Sequence, residues 1–386
     1  MSKQDDGGIR VGDQSEVVTI ITTVRHNIGD DFVREGIVGL LRDALARARP
    51  GHALQVEVIH KHSPITTVLG FERMRSLRLS RLLEPAALYL QLPDRIRRAD
   101  LLVQAGAPIY YCHQNGPRCE RNEWFDPLVR RRFLPDRRGR KFLNLAGGSC
   151  QRYHSDVSEM AAFPETLAYM AESFDACDLT TLRDAYARRM LQAAGRDAEV
   201  LPCTSIYARD HLGIAPEAGE YIVLNFMENG GHYVFGQSID KDGWREKFRR
   251  IYAQCSRMGR VVAACHTTRE RDLVREVVPQ IEAFLVPDDH VAFMRFYARA
   301  RFGIVNRVHA GFMMASLGKP VAVIGTDTRA LMIANLGLES YFVEDVTDPE
   351  GVVAEVAARE TTYRDEIEDI RSRSRERYVD LIANAL

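Results

Sequence analysis

The sequence predicts an α/β protein made of two parallel-sheet domains that face each other across a cleft, and three observations carry that expectation. Short runs of β-branched and aliphatic residues alternate with longer stretches of helical periodicity along most of the chain, which is the pattern of strands joined by helical crossovers. At 386 residues the chain exceeds one ordinary core and suggests about two domains. Periodicity breaks at residues 211–219, where Gly213, Pro216 and Gly219 read as a linker. The expected division is an N-terminal domain over 1–210, a C-terminal domain over 211–345, and a helical segment over 346–386 that packs back on the body.

Hydrophobic residues make up 46% and charged residues 27%, the balance of a globular chain that can bury a sizeable core. The net charge of −1 conceals a basic stretch over 71–141 and an acidic one over 339–386. That asymmetry suits an anionic ligand or membrane surface, and it equally suits ordinary solvated faces. The opening residues are polar, and no run approaches the roughly 18 apolar residues of a spanning helix, so a cytoplasmic location is expected. The 7 cysteines are scattered without paired metal spacing and read as reduced thiols, so neither a metal site nor a bound cofactor is expected.

In order, residues 17–23 (VVTIITT) form a first strand and 30–46 a helix, with Phe32, Ile37, Leu40, Leu41 and Leu45 on one face. Between them Asn27-Ile28-Gly29-Asp30 is a strand-to-helix loop. It reads either as a tight turn with an N-cap, or as backbone N–H groups meeting a substrate beside an acid able to take a proton. Residues 54–59 form a second strand. The segment 71–83 interleaves Arg73, Arg75, Arg78 and Arg81 with leucines, as in a helix resting on anionic headgroups or on a phosphorylated acceptor, and equally as in a plain surface helix. Peripheral attachment at the inner face of the membrane follows from the first of these readings.

A third strand spans 101–104, and 141–146 returns to the sheet, followed by Gly147-Gly148-Ser149 as a loop able to approach a ligand closely. The arginines of 130–140, near Trp124 and Phe125, suggest an acceptor-facing insertion, and no nucleic-acid fold signature accompanies them. Strand 174–180, helix 182–194 and strand 199–201 close the first domain. The second repeats the alternation with strands at 221–226, 260–265, 283–286, 302–305 and 321–324, separated by helices near 245–258, 269–281 and 289–298.

Between its last two strands lies Asn306-Arg307-Val308-His309, at the junction of a strand's carboxyl end and a helix N-terminus. Open α/β sheets bind ligands there, and free N–H groups favour anions. Arginine offers a fixed fork of donors to phosphate or carboxylate, and histidine moves protons near neutral pH. Asn225 and His266-Thr267, at the ends of neighbouring strands, share that rim.

The Arg307-Val308-His309-Ala310 run, the Gly318-Lys319-Pro320-Val321 entry to the following strand, and the segment 331–338 resemble the C-terminal signature of the polysaccharide pyruvyl transferase family. Asn27-Ile28-Gly29-Asp30 and Leu182-Arg183-Asp184 resemble its opening and mid-chain segments, in family order and across nearly the whole chain. The resemblance implies two Rossmann-like domains in the GT-B arrangement and transfer of a pyruvyl group from phosphoenolpyruvate, as co-substrate, to hydroxyls of a sugar, glycan or lipid-linked saccharide. It implies His309 as proton donor and Asp30 as base. Arg307 grips the donor with Asn306, Val308, Asn225, His266 and Thr267 around it, and Asn27, Gly29, Gly147 and Gly148 lie on the acceptor side. Ala105-Gly106-Ala107 and Cys203 depart from the family pattern, which usually has a glycine-rich turn and an acid there. The rival readings are a nucleotide-sugar glycosyltransferase or epimerase on the same architecture, and a repurposed, non-catalytic family member.

Overall fold

The computed structural model describes residues 16–24, 27–61, 95–122 and 124–386. The basic segment 71–83, the polar opening residues, and Arg25 and His26 lie outside these.

In the N-terminal sheet, β1 (Glu16–Thr23) lies between β2 (Ala53–His60) and β3 (Leu101–Gln104), followed by β5 (Lys141–Ser149), β6 (Leu179–Leu182) and β7 (Glu199–Val200). A short β4 (Pro108–Tyr110) pairs with β5, and every pairing is parallel. In the C-terminal sheet the order is β10 (Glu282–Phe284), β9 (Val261–Ala264), β8 (Tyr221–Leu224), β11 (Ala300–Val305), β12 (Val321–Gly325) and β13 (Ser340–Phe342), again all parallel. Strands such as β8 and β9 are buried along their whole length, because helices cover both faces of such a sheet. The strand order reverses between β8 and β11, and that switch point opens a crevice at the strands' carboxyl ends.

Helix α1 (Ile28–Ala48) starts where Asn27 accepts the Gly29 N–H (3.2 Å), and Asp30 and Asp31 sit in its first turn, where the helix dipole favours acids. Its buried face, with Phe32, Val33, Ile37 and Leu41, is continuous with the core of the C-terminal domain. Six further helices of the alternation are α2 (Pro164–Asp175), α3 (Ala185–Ala193), α4 (Lys241–Met258), α5 (Thr268–Val277), α6 (His290–Ala298) and α7 (Val308–Ser316). The acidic tail forms α8 (Pro349–Ala358) and α9 (Tyr363–Ala385). Helix α9 returns to α1, where Arg375 pairs with Asp43 at 2.6 Å, and to the turn after β7, where Arg371 forks onto Asp210 at 2.6 and 2.7 Å.

The differences from expectation have local causes. Phe174 ends helix α2 rather than opening a strand: Pro164 supplies the helix start, and buried Thr166, Tyr169, Met170 and Ser173 recur at helical spacing. Helix α3 begins at Ala185 because Asp184 caps it, accepting the Ala187 N–H at 2.6 Å. Gly147 and Gly148 lie inside β5 rather than in a loop. A Cβ on Gly148 would lie 2.3 Å from Arg183 Nε, so this bare strand end makes room for a buried guanidinium. The arginines near Trp124 are engaged in structural contacts: Arg130 forks onto Glu172 at 2.6 and 2.8 Å, and Arg140 donates to the carbonyls of Ile96 and Phe133 at 2.8 and 2.9 Å. β4 and β13, with three residues each, are too short to show periodicity. Among the described residues no helix is long and apolar enough to cross a membrane, and no group of three or more His, Cys, Asp or Glu could hold a metal ion.

Helix α1 contacts the turn at 204–207 so closely that a Cβ on Gly36 would sit 1.8 Å from the Thr204 carbonyl oxygen, whereas one on Gly39 would make ordinary contact with His211 at 3.5 Å. Gly36→Ala is therefore expected to destabilise the protein by more than about 2 kcal/mol. Gly39→Ala is expected to be neutral or to stabilise by up to about 1 kcal/mol through helix propensity. Denaturant unfolding of the two variants checks the contrast, and equal midpoints would refute it.

Candidate active site

Two amides tie the strand ends of the switch point together. Asn225 accepts the Arg307 N–H at 3.0 Å and donates to the Ala264 carbonyl at 2.9 Å. Asn306 accepts the Met227 N–H at 2.8 Å and donates to the Ile324 carbonyl at 2.9 Å. Both side chains are spent on the frame, which fixes the backbone from which Arg307 and His309 project at the start of α7. Thr267 likewise caps α5, accepting the Glu270 N–H at 3.2 Å.

The N-terminus of α1 is laid directly on His309. A Cβ at position 29 would lie 2.4 Å from the ring's Nδ1, so only glycine allows two helix N-termini from different domains to meet at this imidazole. On its other side, Nε2 stands 3.9 Å from Cys203 Sγ, which is in turn 3.9 Å from Arg183 Nη1. Arg183 is 1% exposed, and its Nε and Nη2 have no hydrogen-bond partner. Asp30 and Asp184 meet part of its charge electrostatically, and the two unbonded N–H groups remain open to a further acceptor.

Burial first, and then the Arg183, Arg329 and Arg307 guanidiniums, hold the His309 pKa well below its ordinary value. His266, which meets the Tyr297 hydroxyl at 3.2 Å, is depressed by burial, Arg307 and His309. Asp30 moves the other way: burial raises its pKa, against the opposing pull of Lys61, Arg183 and Arg329. Arg307 is engaged by Glu270, with Nε 3.1 Å from Oε1 and Nη2 on the same oxygen. Arg329 forks onto Asp327 at 2.7 and 2.8 Å and covers the Tyr233 ring at 4.8 Å.

These groups line one cavity of about 430 Å³ between the domains. It gathers Asn27, Gly29, Asp30, His266, Asn306, Arg307, Val308 and His309. Asn225, Thr267, Gly147 and Gly148 are not in its lining. One wall is stitched across the domains: the Thr328 hydroxyl meets Ser149 Oγ at 2.8 Å and accepts the Gln151 N–H at 3.0 Å, and Tyr153 N–H donates to the Thr326 carbonyl at 3.2 Å. Sequence reasoning assigned no role to Arg183, Arg329, Lys61 or Glu270, although Arg183 lies in a segment singled out for its resemblance. Lys61, Arg183 and Arg329 reach the cavity from different elements, and Glu270 acts through Arg307, so no local spacing marks them as a group.

A family model described as polysaccharide pyruvyl transferase matches residues 27–328 of the chain. No protein of curated function matches. Among solved structures, the chain is similar to MnaA of S. aureus, solved with UDP, at 13% identity, covering 94% of each chain with a TM-score of 0.50. It is also similar to the UDP-GlcNAc 2-epimerase of Neisseria meningitidis bound to UDP-GlcNAc, at 10% identity, covering 96% of this chain and 100% of that one, TM-score 0.50. At these identities the likeness is one of fold, the two-domain GT-B arrangement.

The depressed pKa of His309 ties stability to pH. Below about pH 6.5 the unfolded chain binds a proton that the folded imidazole refuses, so stability falls as pH drops. His309→Gln removes that group, and its Tm is expected to fall less than the wild type's between about pH 7 and pH 5. Parallel Tm profiles in a pH-dependent thermal melt would contradict the assignment.

Proposed function

The chain belongs to the polysaccharide pyruvyl transferase family, and from that premise we propose that it moves a pyruvyl group from phosphoenolpyruvate to sugar hydroxyls as a ketal, with release of phosphate. The observation that carries the proposal is the convergence of the Arg183, Arg307 and Arg329 guanidiniums on one imidazole in the cavity, with Arg183 buried and two of its N–H donors unbonded. A donor that bears both a phosphate and a carboxylate offers acceptors for those unbonded N–H groups and negative charge to the cluster. Once bound, it offsets the field that keeps His309 neutral, so the imidazole gains its proton only when the donor is in place.

His309 then protonates the methylene carbon of the donor. The adjacent carbon becomes oxocarbenium-like, an acceptor hydroxyl attacks it, and Asp30 takes that hydroxyl's proton. The raised pKa of Asp30 makes it a better base than an exposed carboxylate. A second hydroxyl displaces phosphate, which leaves with that hydroxyl's proton; the methyl group keeps the proton from His309, Asp30 releases to water the proton it took, and His309 regains one from water. Phosphoenolpyruvate acts as a co-substrate, and the reaction draws on no resident cofactor. The nucleotide-sugar reading rests on fold alone.

His309→Ala is expected to lower kcat by about 10² to 10⁴, far more than it weakens donor binding. Arg307→Ala is expected to weaken donor binding by about tenfold or more as well. Phosphate release and thermal shift with phosphoenolpyruvate, UDP-sugars and GDP-sugars test this together. A shift with nucleotide sugars alone would favour the rival reading, and no shift with any of them would favour a repurposed protein.

A further inference from the structure

The lining of the cavity divides by chain segment into two kinds of surface. Lys61, Arg183, Arg307 and Arg329 bring its cations and Asp30 and Asp327 its acids. The segment 108–124 adds Pro108, Ile109, Tyr111, His113 and Trp124, and none of its lining residues carries a carboxylate, ammonium or guanidinium. His113 is kept neutral by burial, and its Nε2 lies 3.0 Å from the Cys150 carbonyl oxygen.

This wall is rigid. Asn122 accepts the N–H groups of Trp124 and Phe125 at 3.2 and 2.7 Å and donates to the Tyr169 hydroxyl at 2.7 Å. Trp124 meets Phe125 edge to face at 5.7 Å. Opposite, the loop after β8 reaches across the cleft: His113 stacks flat on Phe235 at 3.8 Å, Phe235 lies 5.2 Å from the Tyr233 ring, and Tyr233 lies under Arg329. Phe235 holds φ +51°, a left-handed conformation that disfavours so large a side chain and recurs at ligand clamps. Tyr233 is 43% exposed.

We infer that this uncharged aromatic wall, closed by Phe235, is the acceptor subsite and takes one uncharged pyranose ring. The C–H face of the ring lies on the aromatic surface, and its hydroxyl edge turns to Asp30. Aromatic side chains with a few polar groups at one edge suit a molecule with an apolar face and a polar rim. The segment 108–124 offers a charged ring no counter-charge, and the Arg329 guanidinium over Tyr233 is already paired with Asp327. The cavity of about 430 Å³ is at the small end for ligand sites and has room for a three-carbon donor and one ring. The inference rests on the pyruvyl-transfer reading, which identifies the cationic half as the donor's.

The two tryptophans of the chain make the test direct. Trp244 is buried, stacked on Phe226, and donates to the Met227 carbonyl at 2.9 Å, so Trp244→Phe leaves Trp124 as sole reporter. Titration of that protein with methyl glycosides of glucose, galactose, mannose and N-acetylglucosamine is expected to give a saturable emission change with at least one of them. Phe235→Ala in the same background is expected to weaken it about tenfold. In Trp124→Phe and Phe235→Ala the thermal shift with phosphoenolpyruvate should persist. Emission changes with uridine or UDP but with no pyranoside, silence with every probe, or loss of the phosphoenolpyruvate shift in both variants would each overturn the inference. A pyranoside response in a protein that ignores phosphoenolpyruvate would leave the subsite standing and sink the donor reading instead.

Discussion

The structure is organised by an unbalanced positive charge held away from water. Arg183 keeps two N–H donors without a hydrogen bond, Arg307 and Arg329 stand close by, and the imidazole they surround is pinned between the bare backbone of Gly29 and the thiol of Cys203. Glu270 and Asp327 answer the charges of Arg307 and Arg329 by direct ion pairs, while Arg183 feels Asp30 and Asp184 without a hydrogen bond at its Nε or Nη2. A cavity in this condition is complementary to a small, densely charged anion.

The fold supplies the rest. Two parallel sheets turn their carboxyl ends toward each other, so ligand-facing loops from both domains converge on one volume. The glycines at positions 29 and 148 let main chain approach His309 and Arg183 more closely than any side chain would allow. The amides of Asn225 and Asn306 fix the strand ends, and the bonds between Ser149, Gln151 and Thr328 hold the domains together along one wall. The Cys203 thiol, and no carboxylate, stands 3.9 Å from Nε2 of His309, so burial and the surrounding arginines hold that imidazole neutral.

Much of this was legible in the sequence. The β-branched run at 17–23 and the alternation after Tyr221 pointed to the parallel sheets, and the strand-to-helix junctions marked Arg307 and His309 in one domain and Asp30 in the other, which the cavity gathers. Those signals are local, and local periodicity survives folding. What was not legible depends on distant residues meeting. Arg183 matters because Gly148 leaves it room, Glu270 because it faces Arg307, and Trp124 because Asn122 fixes its backbone. Gly147 and Gly148 looked like a ligand loop because glycine pairs usually mark loops, yet here they thin a strand. The arginines of 130–140 looked substrate-facing until Glu172 and backbone carbonyls accounted for Arg130 and Arg140.

The account stands or falls on whether the donor anion charges His309. Calorimetric titration of the protein with phosphoenolpyruvate near pH 7.5, in two buffers of different ionisation enthalpy, measures the protons exchanged on binding. The account predicts uptake of about one proton by the wild type and its loss in His309→Gln, with binding retained in both. Binding without proton uptake, or the same uptake in the variant, would contradict it.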